Sequence, residues 1–233
     1  KPDGKKIKPF LRKKFIAIPR KMEETYYEKF VSQLVASFDV YAKGFDIQVI
    51  RDNPKPILSL SDISSGEQQL IFDEAGSTAS NKFDSLLFKL TFAYEKHELN
   101  GDENADASVR MEKSGEEYTF YKVCRDTLLE EEIQQKLAEN GLLLRHGKSV
   151  MEKSEAFNWL NEHRTALEEQ GFTIKQSSQG GRTYFIGESS ISIQIAENKD
   201  WFDIHAIVKF GDFEIPFMQL RKLILANKKE FKL

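Results

Sequence analysis

Two alternating apolar runs in the last third of the chain restrict its fold more than any other feature. Ile191, Ile193 and Ile195 alternate with Ser192 and Gln194. After the polar turn Glu197-Asn198-Lys199-Asp200, the residues Phe202, Ile204, Ala206, Val208 and Phe210 alternate again. Successive strand residues point to opposite faces, so two such runs around a polar turn predict an antiparallel pair with one buried face. Phe213-Glu214-Ile215 continues the pattern, and Pro216 suits the opening of a short helix. The chain starts at Lys1 without a methionine and ends at Lys229-Glu230-Phe231-Lys232-Leu233, which again reads as a strand. Both ends lead us to expect a piece of a larger protein.

Upstream, Phe15 to Ile18 reads as a strand ended by Pro19. Tyr27, Phe30, Val31, Leu34, Val35 and Phe38 form one apolar stripe of a helix over about residues 22–38. Strands are expected from Val40 to Ile50 with a bulge at Gly44, at Ile57-Leu58-Ser59-Leu60, and at Gln69-Leu70-Ile71-Phe72. Asn53-Pro54-Lys55-Pro56 is read as a separator, because proline cannot donate into a ladder. Phe83 to Tyr94, the longest apolar run, is the central-strand candidate. Asn100 to Asp106 reads as a polar loop, and Val109-Arg110-Met111 and Tyr118 to Val123 as a hairpin around Ser114-Gly115.

Asp126 caps a predicted helix carrying Leu129, Ile133 and Leu137, stopped by Asn140-Gly141. Ser154 is the expected cap of a second helix with Phe157, Leu160 and Leu167 inward, ended by Gly171. Phe172 to Ile174 and Thr183 to Ile186 then read as strands, with Gly180-Gly181 as a turn between them. The pattern loosens around Arg145 to Val150, which places a lobe boundary there. The expected architecture is α+β, mainly antiparallel sheets with segregated helices. It has an N-terminal lobe with a basic lead-in over residues 1–148 and a C-terminal lobe over 149–233.

The net charge of −3 conceals an asymmetry. Nine basic residues through Lys21 face Asp3 alone, a net of +8 that leaves −11 for the remainder. Lys5, Lys6, Lys8, Arg12, Lys13 and Lys14 are therefore the candidate contacts with nucleic-acid phosphates, the alternative being a solvated lead-in. A single cysteine, Cys124, precludes an internal disulfide framework and suits a reducing compartment. No apolar run approaches the roughly 20 residues of a membrane helix, so no membrane partner is expected.

Motifs for self-sufficient chemistry are missing from the sequence. There is no phosphate-cradling Gly-x-x-x-x-Gly-Lys, no dinucleotide glycine turn and no nucleophile elbow. Asp102, Asn104 and Asp106 mimic the opening of a calcium loop, but Ala107 and Lys113 stand where glycine and a bidentate glutamate are needed. His97, His146, His163 and His205 have no metal-binding spacing. Glu130-Glu131-Glu132 fan around a helix start, where they favour the macrodipole. Arg125 is read as a surface residue beside the Asp126 cap, and Cys124 as half-buried. No catalytic, cofactor or metal residue is assigned. Trp201, Asp203 and His205 share one phase of their strand and form the candidate docking surface, since exposed tryptophan anchors interfaces. A small-molecule ligand is not expected.

Several segments together resemble the helicase-associated accessory region that precedes the motor in bacterial Swi/Snf-type helicases. They are Lys14-Phe15-Ile16-Ala17-Ile18-Pro19, Gly44-Phe45-Asp46-Ile47, Val123-Cys124-Arg125-Asp126, Gly141-Leu142, Asp200-Trp201-Phe202-Asp203-Ile204 and Val208-Lys209-Phe210-Gly211-Asp212. The resemblance implies a parent that couples ATP hydrolysis to movement on double-stranded DNA in the cytoplasm. ATP and magnesium would be held by motor lobes beyond Leu233, and this chain would dock on those lobes or regulate them without catalysing anything itself. Two other readings stand beside it: a free-standing interaction module, and a hydrolytic enzyme whose residues converge only in three dimensions.

Overall fold

The computed structural model describes residues 17–63, 85–102, 105–176, 184–185, 189–198 and 201–226, with backbone alone at 189, 195–198 and 201–205. The expected strands at Gln69 to Phe72 and Lys229 to Leu233, and the Gly180-Gly181 turn, lie outside these residues. Helix α1 (residues 20–37) opens with a 3-10 turn and contains a π turn over Tyr27–Val31. Strands β1 (Asp46–Ile50), β2 (Lys55–Asp62), β3 (Ser85–Tyr94), β4 (His97–Asn100), β5 (Ala107–Ser114) and β6 (Glu117–Cys124) follow. Next come α2 (Thr127–Glu139), β7 (Lys148–Glu152), α3 (Lys153–Glu169), β8 (Thr173–Gln176), β9 (Ser189–Asn198), β10 (Trp201–Phe210), β11 (Phe213–Pro216) and α4 (Phe217–Leu225). The architecture is α+β, with antiparallel-rich sheets.

Strand β3 organises the largest sheet. One edge pairs with β2, which in turn carries β8 in parallel. The other edge is shared end to end by β7 along Ser85–Lys89 and β4 along Thr91–Tyr94. Leu90 closes the seam between them: its N–H donates to Gly147 O at 2.8 Å, and its carbonyl accepts from Gly101 N–H at 3.2 Å. A Cβ on Gly101 would stand 3.0 Å from that carbonyl, so only glycine lets the backbone approach so closely. The sheet therefore draws strands from both sides of the 148/149 division expected from sequence.

Leu86, Phe88, Leu90, Phe92 and Tyr94 occupy one face of β3 and are fully buried. Against them pack Ile133 and Leu137 of α2, and Ala156, Trp159, Leu160 and Leu167 of α3. Both helices end alike. Gly141 and Gly171 take positive φ, while Leu142 N–H returns to Leu137 O and Phe172 N–H to Leu167 O. Each is the left-handed C-terminal cap in which an apolar residue just past the helix folds back on its last turn. Asp126 Oδ1 accepts from Leu129 N–H, as the sequence predicts. Ser154 does not cap α3: it lies inside the helix, where its hydroxyl donates to Glu152, the actual N-cap residue.

The second sheet has the order β1-β6-β5, with β1 parallel to β6. Tyr118 and Phe120 turn toward α1, where Val31 and Val35 cover them, and Tyr27 packs edge-on against Tyr118. Val123, on the opposite phase, joins Ile50 in the main core. Strand β1 is shorter than expected. Val40 to Phe45 form no strand, because Val40 and Phe45 are spent covering the α1 cluster. Pro56 is inside β2, placed one residue before the β8 ladder begins at Ile57. Ala17, Ile18, Tyr184 and Phe185 are in no strand, and β4 was not anticipated.

Candidate functional site

The C-terminal unit is the three-stranded sheet β9-β10-β11 with α4. The predicted pairing of the two alternating runs is present, with Ile191 opposite Val208 and Ile193 opposite Ala206. Its predicted burial holds at Val208 and fails at Ile191 and Ile193. Val208, Ile215 and Leu220 form the buried cluster with Phe210 packed against it, while Ile191 and Ile193 are each 62% exposed. The reason is the reach of α4, a helix of nine residues tied directly to β11, which packs mainly on β10 and β11. Phe213 and, on α4, Met218, Ile224 and Leu225 are exposed as well. One small unit thus presents apolar side chains on its sheet and on its helix.

Trp201, Asp203 and His205 occupy the first half of β10, opposite Asn198, Ala196 and Gln194. Their positions alternate with that of Val208, on the sheet face away from the buried cluster. Their side chains are outside the described residues, as are Lys5, Lys6, Lys8, Arg12, Lys13 and Lys14. Lys209, on the same phase as Trp201, bridges to Glu214 at 2.6 Å.

Arg125 is not on the surface. Its side chain is fully buried and grips Glu130 with Nε at 3.0 Å and a terminal nitrogen at 2.5 Å, while also donating to Asn100 O. Tyr94 donates its hydroxyl proton to Glu130 Oε1 and accepts from Asp126 N–H. Burial, and then the hydrogen bond to Glu130, push the Tyr94 phenol well above its usual range. Glu130 therefore does much more than favour a helix dipole: it ties the end of β6, the end of β3 and the start of α2 together. The Arg125-Asp126-x-x-x-Glu130 spacing was the sequence signal for this, with the pair at positions 125 and 130 rather than 125 and 126. Cys124 is half-buried and free, as expected.

Two clefts open near β4. One of about 240 Å³ lies between β4 and β5, lined by His97, Glu98, Leu99, Asn100, Ser108, Val109, Arg110 and Val123. His97 is buried against Tyr121, and its Nε2 has no hydrogen-bond partner among the described residues. Burial, then Lys96 and Arg110, hold the His97 pKa below its usual value, against the smaller opposing pull of Glu112 and Glu95. A smaller cleft of about 90 Å³ lies over the Leu90 seam, bordered by Lys89, Lys148, His146 and Asp102. Asp106 contributes its main-chain carbonyl to Arg125 N–H. No group of three or more His, Cys, Asp or Glu side chains suited to a metal occurs among the described residues.

Tyr184-Phe185 joins the C-terminal unit to the larger sheet. The Tyr184 hydroxyl donates to Asp62 at 2.7 Å, Asp62 bridges to Lys153, and the Tyr184 ring packs on Phe157. The Tyr184 backbone is held on both sides by the Gln176 amide. Phe185 instead packs edge-on against Phe210 of β10.

The fold and these surfaces define an α+β protein whose C-terminal unit exposes apolar side chains, and no described helix is long and apolar enough to cross a membrane. Comparison with protein-family models, curated proteins and solved structures finds no match.

Proposed function

We propose that this chain is a non-catalytic accessory domain of a Swi/Snf-type DNA-dependent ATPase, which docks on the motor lobes of its parent and regulates them. The observation that carries this reading is the C-terminal unit, where three buried residues hold a sheet and helix that expose Ile191, Ile193, Phe213, Met218, Ile224 and Leu225. Exposed apolar side chains concentrated in one small unit are the kind of surface that marks interaction sites. Its occupant is an apolar face of the motor, because two of the segments resembling the helicase-associated region run through β10 and the turn that follows it. ATP and magnesium belong to the motor in this reading, the basic lead-in is an auxiliary contact with duplex DNA, and the setting is cytoplasmic.

The test mixes the purified chain with separately expressed motor lobes and measures heat of binding without DNA. Binding that Ile193→Asp and Met218→Asp abolish, while the chain's unfolding midpoint stays constant, supports the reading. Failure of the lobes to bind would leave a free-standing interaction module. DNA-stimulated ATP hydrolysis by this chain alone would overturn its non-catalytic role.

A further inference from the structure

The register of the five-stranded sheet lines up lysines across four strands. Lys175 of β8 stands opposite Ser59 of β2, Ser59 opposite Lys89 of β3, and Lys89 opposite Lys148 of β7. Directly opposite residues share a sheet face, so Lys175, Lys89 and Lys148 form one transverse row. They lie on the face away from Leu86, Phe88, Leu90, Phe92 and Tyr94. Lys55, opposite Ala93, is on the same face.

Like charges directly opposite each other on antiparallel strands are destabilising. Lys89 and Lys148 are such a pair, both half-buried. None of the four lysines has an ion pair with a carboxylate among the described residues. Among the described strand residues, the carboxylates on this face are Glu152, opposite Ser85, and Glu98, opposite Ala93, one toward each end. Glu98 is already occupied in accepting the Thr91 hydroxyl proton at 2.6 Å. The small cleft over the Leu90 seam opens at Lys89 and Lys148 and adds His146, against one acidic residue, Asp102, among its described lining.

We propose that this row is a binding site for the phosphate backbone of duplex nucleic acid, with the cleft between Lys89 and Lys148 holding one phosphate. The anion supplies countercharge that these lysines do not receive from the described residues, and the lysines act as point charges without base readout. Strands are spaced about 4.8 Å apart, so Lys175 to Lys148 spans roughly 14 Å, the axial length over which one DNA strand carries about four phosphates. The absence of aromatic residues in the row favours a duplex over a single strand, whose bases need stacking platforms. The site is distinct from the basic lead-in and from the apolar docking unit, and it requires no motor.

The experiment is fluorescence anisotropy of a labelled 20-base-pair duplex with the full chain across a salt series, on a background in which Lys5, Lys6, Lys13 and Lys14 are changed to Gln. Each phosphate contact contributes about 0.9 to the slope of log affinity against log salt. The combined Lys89→Gln, Lys148→Gln, Lys175→Gln variant should lose roughly 2.7 from that slope, and the corresponding Arg variant should keep it. Lys175→Gln alone, at an exposed position on β8, should lose roughly 0.9 and serves if the triple variant does not fold. An unchanged slope in the Gln variants overturns the proposal. So does inorganic phosphate binding at this cleft with no duplex binding, which would make it a site for a free oxyanion. Because no motor lobe is present, failure here leaves the docking reading intact, and failure of docking leaves this site intact.

Discussion

The two sheets that carry this chain's apolar residues are built to opposite standards. The β3 sheet buries a continuous stripe from Leu86 to Tyr94 under two helices, each closed by a glycine cap. The β10 sheet has the cleaner sequence alternation and the longer uninterrupted ladder, yet among the described side chains only Val208, Ile215 and Leu220 are buried in its cluster. Both sheets are paired along their strands, and what separates them is cover. Backbone pairing sets which residues share a face, but a helix of sufficient length decides whether that face is a core or an interface. The first sheet encloses its apolar residues, and the second leaves Ile191, Ile193 and Phe213 exposed.

The largest expected effect sits where the first sheet depends on charge. Glu130→Ala leaves Arg125 buried without its carboxylate and should cost about 3–5 kcal/mol in urea unfolding. A loss near that of an exposed pair would show that the cluster is dispensable. Leu220→Ala removes one of the three side chains buried in the second unit's described cluster and should cost about 2 kcal/mol, the low end for such changes because a small cluster collapses easily. Hydrogen exchange should place that loss in residues 189–226 and leave β3 protected. Loss of protection in both sheets would mean that the two units unfold as one.

Asp126→Ala should cost about 1 kcal/mol through the missing cap on Leu129 N–H, read as a shift in thermal midpoint. A smaller effect is visible as a slope against pH. His97 has a lowered folded pKa, so between neutrality and about pH 5 the unfolded chain binds more protons at this position. Its contribution to stability is present above the unfolded value and is lost as pH falls through that value toward the folded one. His97→Phe should flatten this part of the stability curve, and an unchanged curve would show that the ring titrates freely. Ile193→Ser, the smallest, should change stability by no more than about 0.5 kcal/mol, because the side chain is mostly exposed already. A loss comparable to that of Leu220→Ala would erase the contrast between the two sheets.

Much of the scaffold was legible before the structure. The α2 boundaries followed from Asp126 and Asn140-Gly141, the β5–β6 hairpin from Ser114-Gly115, and the centrality of β3 from its double-faced apolar run. All of these are local signals, in which a cap or a turn acts on residues within one helical turn. Burial was not legible where it depended on a distant element. The isoleucines of β9 read as core because alternation reports a face without reporting its cover. Arg125 read as surface because the groups that enclose it, Tyr94 and the Asn100 carbonyl, come from strands far back in the chain. The lysine row was invisible for the same reason, since Lys175, Lys89 and Lys148 become neighbours only once β8, β2, β3 and β7 are in register. Trp201, Asp203 and His205 were assigned to a strand and are in one, and their docking role belongs to the proposal.

Tyr184 and Phe185 stand side by side in sequence with their rings committed to different sheets. A load applied to β10 through Phe210 reaches the Asp62–Lys153 bridge through a single peptide unit, with almost no slack to absorb it. The dipeptide is thus a short mechanical coupling. Phe185→Gly would leave each sheet folded while cutting the transmission between whatever grips the C-terminal unit and the body that carries the lysine row.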